Sequence, residues 1–476
     1  MTGGKDTSDT IGLLETTIGN PVSRKILSSL SKYCERDGKN RIEVAIELFT
    51  GRREDACMAC RITERIIRRV LLKGGEAFGM DEEEIISKFS DPFWGKALAS
   101  TIKGVALFGM HRPFISGAPY LIVWDFTYSC NLRCKHCYAN AGKPLEDELT
   151  TEEAKRAIDI FDRAGVVSIA FSGGEPLVRK DFFELAKYAA DKGMYVAVAT
   201  NGTLITPEMA EKMKNAGIKF VQISLDGASP ETHDAFRGID GAFEKTVEGI
   251  KNAVKAGFFV EIATTATKYN YEEVPSIIEL AEKLGVNWFM LYNFVPTGRG
   301  KFMVKNDLSP EEREELLKML YRKMNDSSLT LLSTAPQFAR VALQEDNNDD
   351  MAIMPTHFYA AHLSKKLRAL ADFIGGCGCG RFYLAMRPNG NIEPCVFFPL
   401  TIGNIRRDDF EELWRNNKVL NELRNKNLLE GKCGDCSYRY QCGGCRARAY
   451  GYFGDYMAPD PGCIINRDKY QELLTH

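Results

Sequence analysis

Between residues 120 and about 295 the chain alternates between two periodicities, and this alternation limits its possible folds more than any other feature. Short apolar runs, YLIVWDF, VVSIAFS, MYVAVAT, KFVQISL, FFVEIATTA and NWFMLYNF, are separated by helical patterns such as TTEEAKRAIDIFDRAG. Strands separated by whole helices cannot pair as tight hairpins, so six of them imply a parallel sheet covered by helices. Polar or glycine-rich residues close these runs, as in SGGEP, TNG, SLDG and PTG. A βα barrel presents its functional face at the strand C-termini, so the chemistry is expected there.

The flanks differ from this core. Residues 1–118 are predicted to be a helical region, from the periodicity in RKILSSLSKYC, RIEVAIELF and RITERIIRRVLL, with breaks at Gly74-Gly75 and Gly79. Residues 119–307 form the core and 308–376 a helical connector, whose acidic run from Glu345 to Asp350 reads as a solvated loop. Residues 377–476 are rich in Cys and Gly. At 476 residues the chain has room for two or three cores without covalent staples. Ser90-Asp91-Pro92 starts a helix on which Phe93, Trp94, Ala97, Leu98, Ile102 and Val105 recur, with Lys96 and Lys103 expected elsewhere on its surface. Such an amphipathic helix could lie on a membrane or line an apolar tunnel, although packing against its own domain is commoner.

Lys and Arg number 62 against 64 Asp and Glu, a formal net charge of -2, so no global field draws in nucleic acid or an anionic membrane. Arg61, Arg65, Arg68 and Arg69 put positive charge on one helix, which is more often a solvated face than an anion site. The polar start MTGGKDTSDT lacks the pattern of a signal peptide, and no apolar run of about 18 residues is present. The chain is expected to be cytosolic, with peripheral membrane contact as the alternative. Fourteen cysteines in such a chain point to metal or redox work rather than disulfides. They fall into three groups: Cys34, Cys57 and Cys60; Cys130, Cys134 and Cys137; and eight from Cys377 to Cys463. For the first group no fourth ligand is evident and free buried cysteines are common, so it stands outside the predicted sites.

Cys130-Asn131-Leu132-Arg133-Cys134-Lys135-His136-Cys137 follows the first strand, so three thiolates converge from one loop, as a cubane cluster requires. Three ligands leave one iron open, whereas a structural zinc wants four in a closed site. In Ser172-Gly173-Gly174-Glu175 the glycines let backbone approach a ligand and the carboxylate can receive an ammonium. Thr200 and Asn201 after the third strand, and Ser224 and Asp226 after the fourth, offer hydroxyl, amide and carboxylate groups. Each alone is ordinary loop chemistry; their joint order at successive strand ends makes the case.

That order resembles the radical S-adenosylmethionine (SAM) superfamily. The resemblance implies an α/β fold, an open, partial (βα)6 TIM-like barrel, with a 4Fe-4S cluster on Cys130, Cys134 and Cys137. It places SAM among His136, Ser172, Gly173, Gly174, Glu175, Thr200, Asn201, Ser224, Asp226 and Arg237. The GGEP motif would hold the methionine amino group and Arg237 its carboxylate. The implied activity is reductive cleavage of SAM to a 5'-deoxyadenosyl radical that takes hydrogen from substrate, with ferredoxin or flavodoxin as electron donor.

The C-terminal cysteines read Cys377-Gly-Cys379, Cys395, Cys433-x2-Cys436-x5-Cys442-x2-Cys445 and Cys463. Eight suffice for two further 4Fe-4S clusters, with a pair of zinc ribbons as the alternative. The pattern resembles the SPASM domain of radical SAM maturases, whose interleaved ligands imply one quartet of Cys377, Cys379, Cys395 and Cys445 and another of Cys433, Cys436, Cys442 and Cys463. Two spacings depart from that family: one residue fewer separates Cys442 from Cys445, and Cys377 and Cys379 are unusually close. Where the sulfatase-maturing members carry an aspartate base this chain has Val396, which disfavours formylglycine formation.

Auxiliary clusters accompany oxidative or bond-forming outcomes in this family. A peptide substrate ranks first, isoprenoid membrane lipid second and a haem-type tetrapyrrole third, with a non-enzymatic electron-transfer protein as a further alternative. The lipid reading draws on the helix from Phe93 to Val105, the basic helix, and the lack of an evident winged-helix module for leader peptides. Substrate choice is expected to lie in the N-terminal third, and no general base is identified.

Overall fold

All six predicted strands form and pair in sequence order as parallel neighbours: β1 (Leu121–Thr127), β2 (Ser168–Gly173), β3 (Tyr195–Thr200), β4 (Ile218–Ser224), β5 (Phe259–Ala266) and β6 (Trp288–Asn293). The computed structural model describes residues 19–474 apart from 78, 325, 347–350, 355–358 and 363–372. Register places Trp124, Phe171, Val198, Val221 and Val260 in one row across the sheet, all buried. This row packs under the covering helices; Phe171 meets Phe182, which opens the helix Phe182–Asp191. Side chains alternate along a strand, so the neighbouring positions Asp125, Ser172, Gln222 and Glu261 face the opposite side. That inner face carries these polar side chains among apolar ones such as Val123, Ala197 and Met290.

The sheet extends beyond the six strands at both edges. β7 (Thr330–Ser333) adds in parallel to β6, and β8 (Tyr383–Met386) adds in parallel to β1, followed by antiparallel β9 (Asn391–Glu393) and β10 (Gly403–Asn404). The cysteine-rich region is therefore anchored on the core sheet through β8. β7 and β10 do not pair with each other among the described residues, so the sheet stays open. The stretch read as a helical connector contains the helices Pro310–Lys323 and Gln337–Glu345, but also β7 and a hairpin of Met351–Met354 with Tyr359–His362. Asn347, Asn348, Asp349 and Asp350 of its acidic run lie outside the described residues.

The N-terminal region is helical, with Pro21–Leu30, Arg41–Phe49, Met58–Ala77, Glu82–Phe89 and Pro92–Phe108. Two expectations need correction. The run RKILSSLSKYC stops being helical at Leu30, and Tyr33–Cys34 pairs instead with Lys39–Asn40. Asn40 explains this: its amide donates to the Ser31 carbonyl at 2.7 Å and its oxygen caps Ile42 N at 2.9 Å, ending one helix and starting the next. The break at Gly74-Gly75 does not occur; the helix continues to Ala77, and a Cβ on Gly75 would sit 2.2 Å from the Ile85 side chain of the following helix.

Asp91 caps the helix Pro92–Phe108 by accepting from Phe93 N at 3.0 Å. Its buried face is Gly95, Lys96, Ala99, Ser100, Gly104, Val105 and Ala106, packed on Pro21–Leu30 and Arg41–Phe49. Lys96, expected on the surface, is only 2% exposed. Its ammonium lies 2.5 Å from Asp162 on the core helix Thr151–Ala164 and 3.1 Å from Glu43. Burial alone would lower the lysine's pKa, but the two carboxylates outweigh it and hold it above the usual value. Lys103 is likewise mostly covered and pairs with Glu411. Arg61, Arg65, Arg68 and Arg69 are exposed, with Arg61 on Asp55 and Arg68 on Glu82. No helix of the described residues is long and apolar enough to cross a membrane.

Candidate active site

β1 delivers the chain into the cysteine loop, which Gly142 N closes on Tyr128 O at 2.7 Å. The loop is gripped from two sides. Arg299 donates from Nε to Cys134 O and from its backbone N to Cys137 O, both at 2.9 Å. Arg133 N and Lys135 N donate to the carbonyls of Arg237 and Phe236 at 3.1 and 3.0 Å. Cys134 is buried, and Cys130 and Cys137 are half-buried. Each sulfur faces one N–H donor: Leu132 N to Cys130 Sγ at 3.4 Å, Ala141 N to Cys137 Sγ at 3.4 Å, and Arg237 Nη1 to Cys134 Sγ at 3.6 Å. Burial pushes the Cys130 thiol up to about 12, so it keeps its proton unless a metal displaces it. Three sulfurs with aimed N–H groups fit a cluster whose charge such bonds offset.

The SGGEP segment lies directly on this loop. Gly174 N donates to Thr127 O at 2.7 Å and Glu175 N to Ser129 O at 2.9 Å. A Cβ on Gly173 would stand 2.6 Å from Thr127 O, and one on Gly174 2.1 Å from Ser129 O, so both positions require glycine. Glu175 is fully buried and accepts from Thr200 Oγ1 at 2.8 and 2.9 Å, Asn201 N at 2.9 Å and Leu177 N at 3.2 Å. Its carboxyl thus braces β2 against the loop after β3, and burial raises its pKa to about 7. Asn201 in turn donates to Asn131 Oδ1 at 2.8 Å, tying the TNG turn to the cysteine loop.

A charged group closes the fourth-strand side. Asp226, fully buried, accepts from Thr265 N at 2.8 Å and lies 2.5 Å from the Arg237 guanidinium. Arg237 therefore joins Asp226 to Cys134. His136 is stacked on Phe236 with ring centroids 4.1 Å apart, its Nε2 3.6 Å from Asp226. Burial first, then the Arg237 charge, holds His136 well below the usual histidine range, so its ring is neutral. His136 Nδ1 and Arg237 Nε are buried without hydrogen-bond partners among the described residues, which leaves capacity for a bound ligand. Ser224 ends β4 half-buried.

Sequence reasoning missed a polar bridge behind the loop. Tyr138 OH lies 2.9 Å from both Asp125 and Ser172 Oγ. Arg387, just after β8, pairs with Asp125 and Glu393 and donates to Val396 O at 3.0 Å. The alternation in WDF signals that Asp125 faces away from Trp124 and Phe126, but nothing local signals a partner 262 positions later.

The C-terminal cysteines gather in two sets. Cys379 and Cys395 are buried in one cluster with Cys377 and Cys445 packed against them; Cys379 Sγ donates to Pro394 O at 3.3 Å, and the Tyr383 hydroxyl lies 3.9 Å from Cys377 Sγ and 3.6 Å from Cys395 Sγ. Cys433, Cys436, Cys442 and Cys463 line one small cavity, with Asn466 Nδ2 3.3 Å from Cys433 Sγ and Gly444 N 3.4 Å from Cys442 Sγ. The structure thus brings together the two interleaved quartets, each holding one member of Cys442 and Cys445.

A model of the radical SAM superfamily matches residues 124–281, and a model of an iron-sulfur cluster-binding domain, SPASM, matches 377–437. AdoMet-dependent heme synthase of Methanosarcina barkeri (strain Fusaro / DSM 804) is 41% identical over 358 residues, 75% of this chain and 99% of that protein. Mycofactocin maturase MftC of Mycobacterium tuberculosis (strain CDC 1551 / Oshkosh) is 33% identical over 353 residues, 73% of this chain and 83% of that protein. The crystal structure of Streptococcus suis SuiB bound to precursor peptide SuiA shares the fold, with TM-score 0.63 and 16% identity over 90% of this chain and 95% of that one.

Proposed function

This chain belongs to the radical SAM superfamily and carries a SPASM iron-sulfur cluster-binding domain, and from that premise we propose that it modifies the side chains of a haem-type tetrapyrrole. It is an enzyme that uses 4Fe-4S clusters and SAM. When bound, the cluster and SAM supply one-electron cleavage of the sulfonium and, from it, hydrogen abstraction at an unactivated C–H.

The chain's own residues bind, orient and shield. Cys130, Cys134 and Cys137 would hold the cluster, and the three N–H donors would offset its charge. Gly173 and Gly174 let the β2 backbone approach the cofactor. Glu175 fixes Thr200 and Asn201 in place, and Asp226 holds the Arg237 guanidinium beside Cys134, where it can receive a carboxylate. Neutral His136 presents a polar edge without adding charge. Ser172 and Ser224 offer hydroxyl groups at their strand ends. The quartets of Cys377, Cys379, Cys395, Cys445 and of Cys433, Cys436, Cys442, Cys463 are the ligands proposed for two auxiliary clusters. The bridge Tyr138–Asp125–Arg387 joins the residue after Cys137 to the carbonyl after Cys395, and so fixes the loop relative to the first quartet. A ferredoxin or flavodoxin is the proposed reductant.

The substrate class rests on one observation, the 41% identity that runs over 99% of the heme synthase. A peptide substrate is the second reading, favoured by the mycofactocin maturase. Of the features behind the lipid reading, the helix from Phe93 to Val105 packs on the N-terminal helices with its Lys96 buried, while the basic helix stays exposed. The test is anaerobic reconstitution to about twelve irons per chain, followed by assay of 5'-deoxyadenosine release with dithionite. An iron porphyrin bearing propionate side chains is expected to stimulate release and to change in mass. An unchanged porphyrin, with release stimulated by a precursor peptide instead, would move the assignment to the second reading.

A further inference from the structure

Among the described residues one group of His, Cys, Asp and Glu side chains brings all its ligand atoms within 4.8 Å of one another: Cys34, Asp37, Cys57 and Cys60. It lies outside both matched family regions. Cys34 Sγ is 3.6 Å from Cys57 Sγ and 3.3 Å from Asp37 Oδ2. Bonds of about 2.3 Å to sulfur in a tetrahedron put ligand atoms roughly 3.7 Å apart, which the Cys34–Cys57 pair meets at 3.6 Å within a group spanning no more than 4.8 Å. Cubane sulfurs, each on a different iron, stand further apart. We infer that Cys34, Asp37, Cys57 and Cys60 bind a single zinc ion in a closed, structural site.

The chain builds this site from two short pieces. The Tyr33–Cys34 and Lys39–Asn40 hairpin carries Cys34-x2-Asp37, and its turn is closed by Gly38 N on Cys34 O at 2.8 Å. Gly38 has φ +69° immediately after Asp37, a conformation that lets the chain reverse behind the ligands and that other residues adopt at a cost. Cys57-x2-Cys60 lies at the start of the helix Met58–Ala77, where the helix N-terminus favours thiolates. Cys57 N already donates to both Asp37 oxygens, at 3.2 and 3.3 Å, so the two pieces meet in register. Cys34 and Cys60 are buried and pack with Val44; Asp37 and Cys57 are half-buried. Four protein ligands leave no open position, which distinguishes a structural from a catalytic zinc. Three thiolates and a carboxylate exceed the charge of a dication, and Arg53, 4.0 Å from Asp37, faces the surplus. On binding, the thiols release their protons to solvent. The ion ties the hairpin to the helix, and the hairpin carries Glu35 and Tyr33, which meet Arg163 on the core helix Thr151–Ala164.

The test uses the full chain, purified anaerobically from zinc-replete cells, with zinc and iron measured per chain. About one zinc per chain is expected beside the cluster iron. Cys57→Ser/Cys60→Ser should lose the zinc and keep the iron. Zinc-edge X-ray absorption should show three sulfurs at about 2.3 Å and one oxygen at about 2.0–2.2 Å. Asp37→Cys should retain the zinc with four sulfurs, a result that misfolding cannot produce. Zinc absent from the wild type, zinc retained by the double variant, iron in its place, or a Cys34–Cys57 disulfide in peptide maps would each overturn the inference.

Discussion

Two cysteine sets in the N-terminal half, about 70 residues apart, show how spacing separates chemistries. Cys34, Cys57 and Cys60 crowd around Asp37 with every ligand atom within 4.8 Å of the others. Cys130, Cys134 and Cys137 do not form such a group, and each sulfur has its own N–H donor. The first set is closed, with four ligands drawn from a hairpin and a helix. The second offers three cysteines from one loop beside the Arg237–Asp226 ion pair and His136, where His136 Nδ1 and Arg237 Nε have no partner among the described residues. Cysteine count alone would not separate them. The spread of the sulfurs and the number of protein ligands do.

The strongest way to break this contrast is to remove the second set. Cys130→Ala/Cys134→Ala/Cys137→Ala is expected to abolish 5'-deoxyadenosine release and to lower the iron content by about four per chain, with the N-terminal zinc unchanged. Loss of both metals together would mean that the two sets do not bind independently.

The sequence carried much of this architecture and hid specific parts of it for physical reasons. Each of β1 to β6 is a run of six to eight mostly apolar residues set between helical patterns, long enough to read as a strand. β7 and β8, TLLS and YLAM, are four residues each and too short for a period to separate strand from helix. The loop after β1 and the motifs after β2, β3 and β4 could be placed because strand ends follow from the alternation. Asp37 could not, since an aspartate three residues after a lone cysteine has no metal signature until the hairpin brings it to Cys57. Lys96 misled for a related reason: a lysine on an amphipathic helix is normally exposed, and only the fold sets Glu43 and Asp162 around it.

Lys96 also sets the coupling between the two regions. Lys96→Met keeps most of the volume but leaves Glu43 and Asp162 facing each other without a cation. Breaking a buried pair in this way costs about 3–5 kcal/mol, to be read from anaerobic denaturant unfolding. A loss below about 1 kcal/mol would mean that the helix Pro92–Phe108 is held by its other contacts, such as Lys103 on Ala164 O and Ser100 on Ala118 O, rather than by Lys96.

A smaller, pH-dependent effect belongs to the loop side. His233 Nδ1 accepts from Asp226 N at 3.2 Å, which requires a neutral ring, and burial, with Arg237 nearby, lowers its pKa to about 3. Unfolding restores a value near 6.5, so the unfolded chain binds the extra proton first as pH falls. The contribution is complete above about pH 6.5 and is lost progressively as pH falls toward 3, amounting to about 2 kcal/mol by pH 5. His233→Gln, whose amide oxygen can still accept from Asp226 N, should show a shallower fall in stability between pH 7 and 5. Zinc retention over that range should be the same in both proteins, because none of its ligands touches this group.

The smallest effect is expected where the hairpin meets the core. Arg163 pairs with Glu35, and its guanidinium lies 4.7 Å from the Tyr33 ring centroid, but both charged side chains are more than half exposed. Solvent and salt screen such a pair, and holding two long side chains in place costs entropy. Arg163→Ala should therefore leave the thermal midpoint and the zinc content within error of the wild type, in low and in high salt. A drop as large as that of Lys96→Met would transfer the docking of the N-terminal region from the buried lysine to the hairpin, and would make the metal-bound turn, rather than the helix behind it, the joint between the two regions.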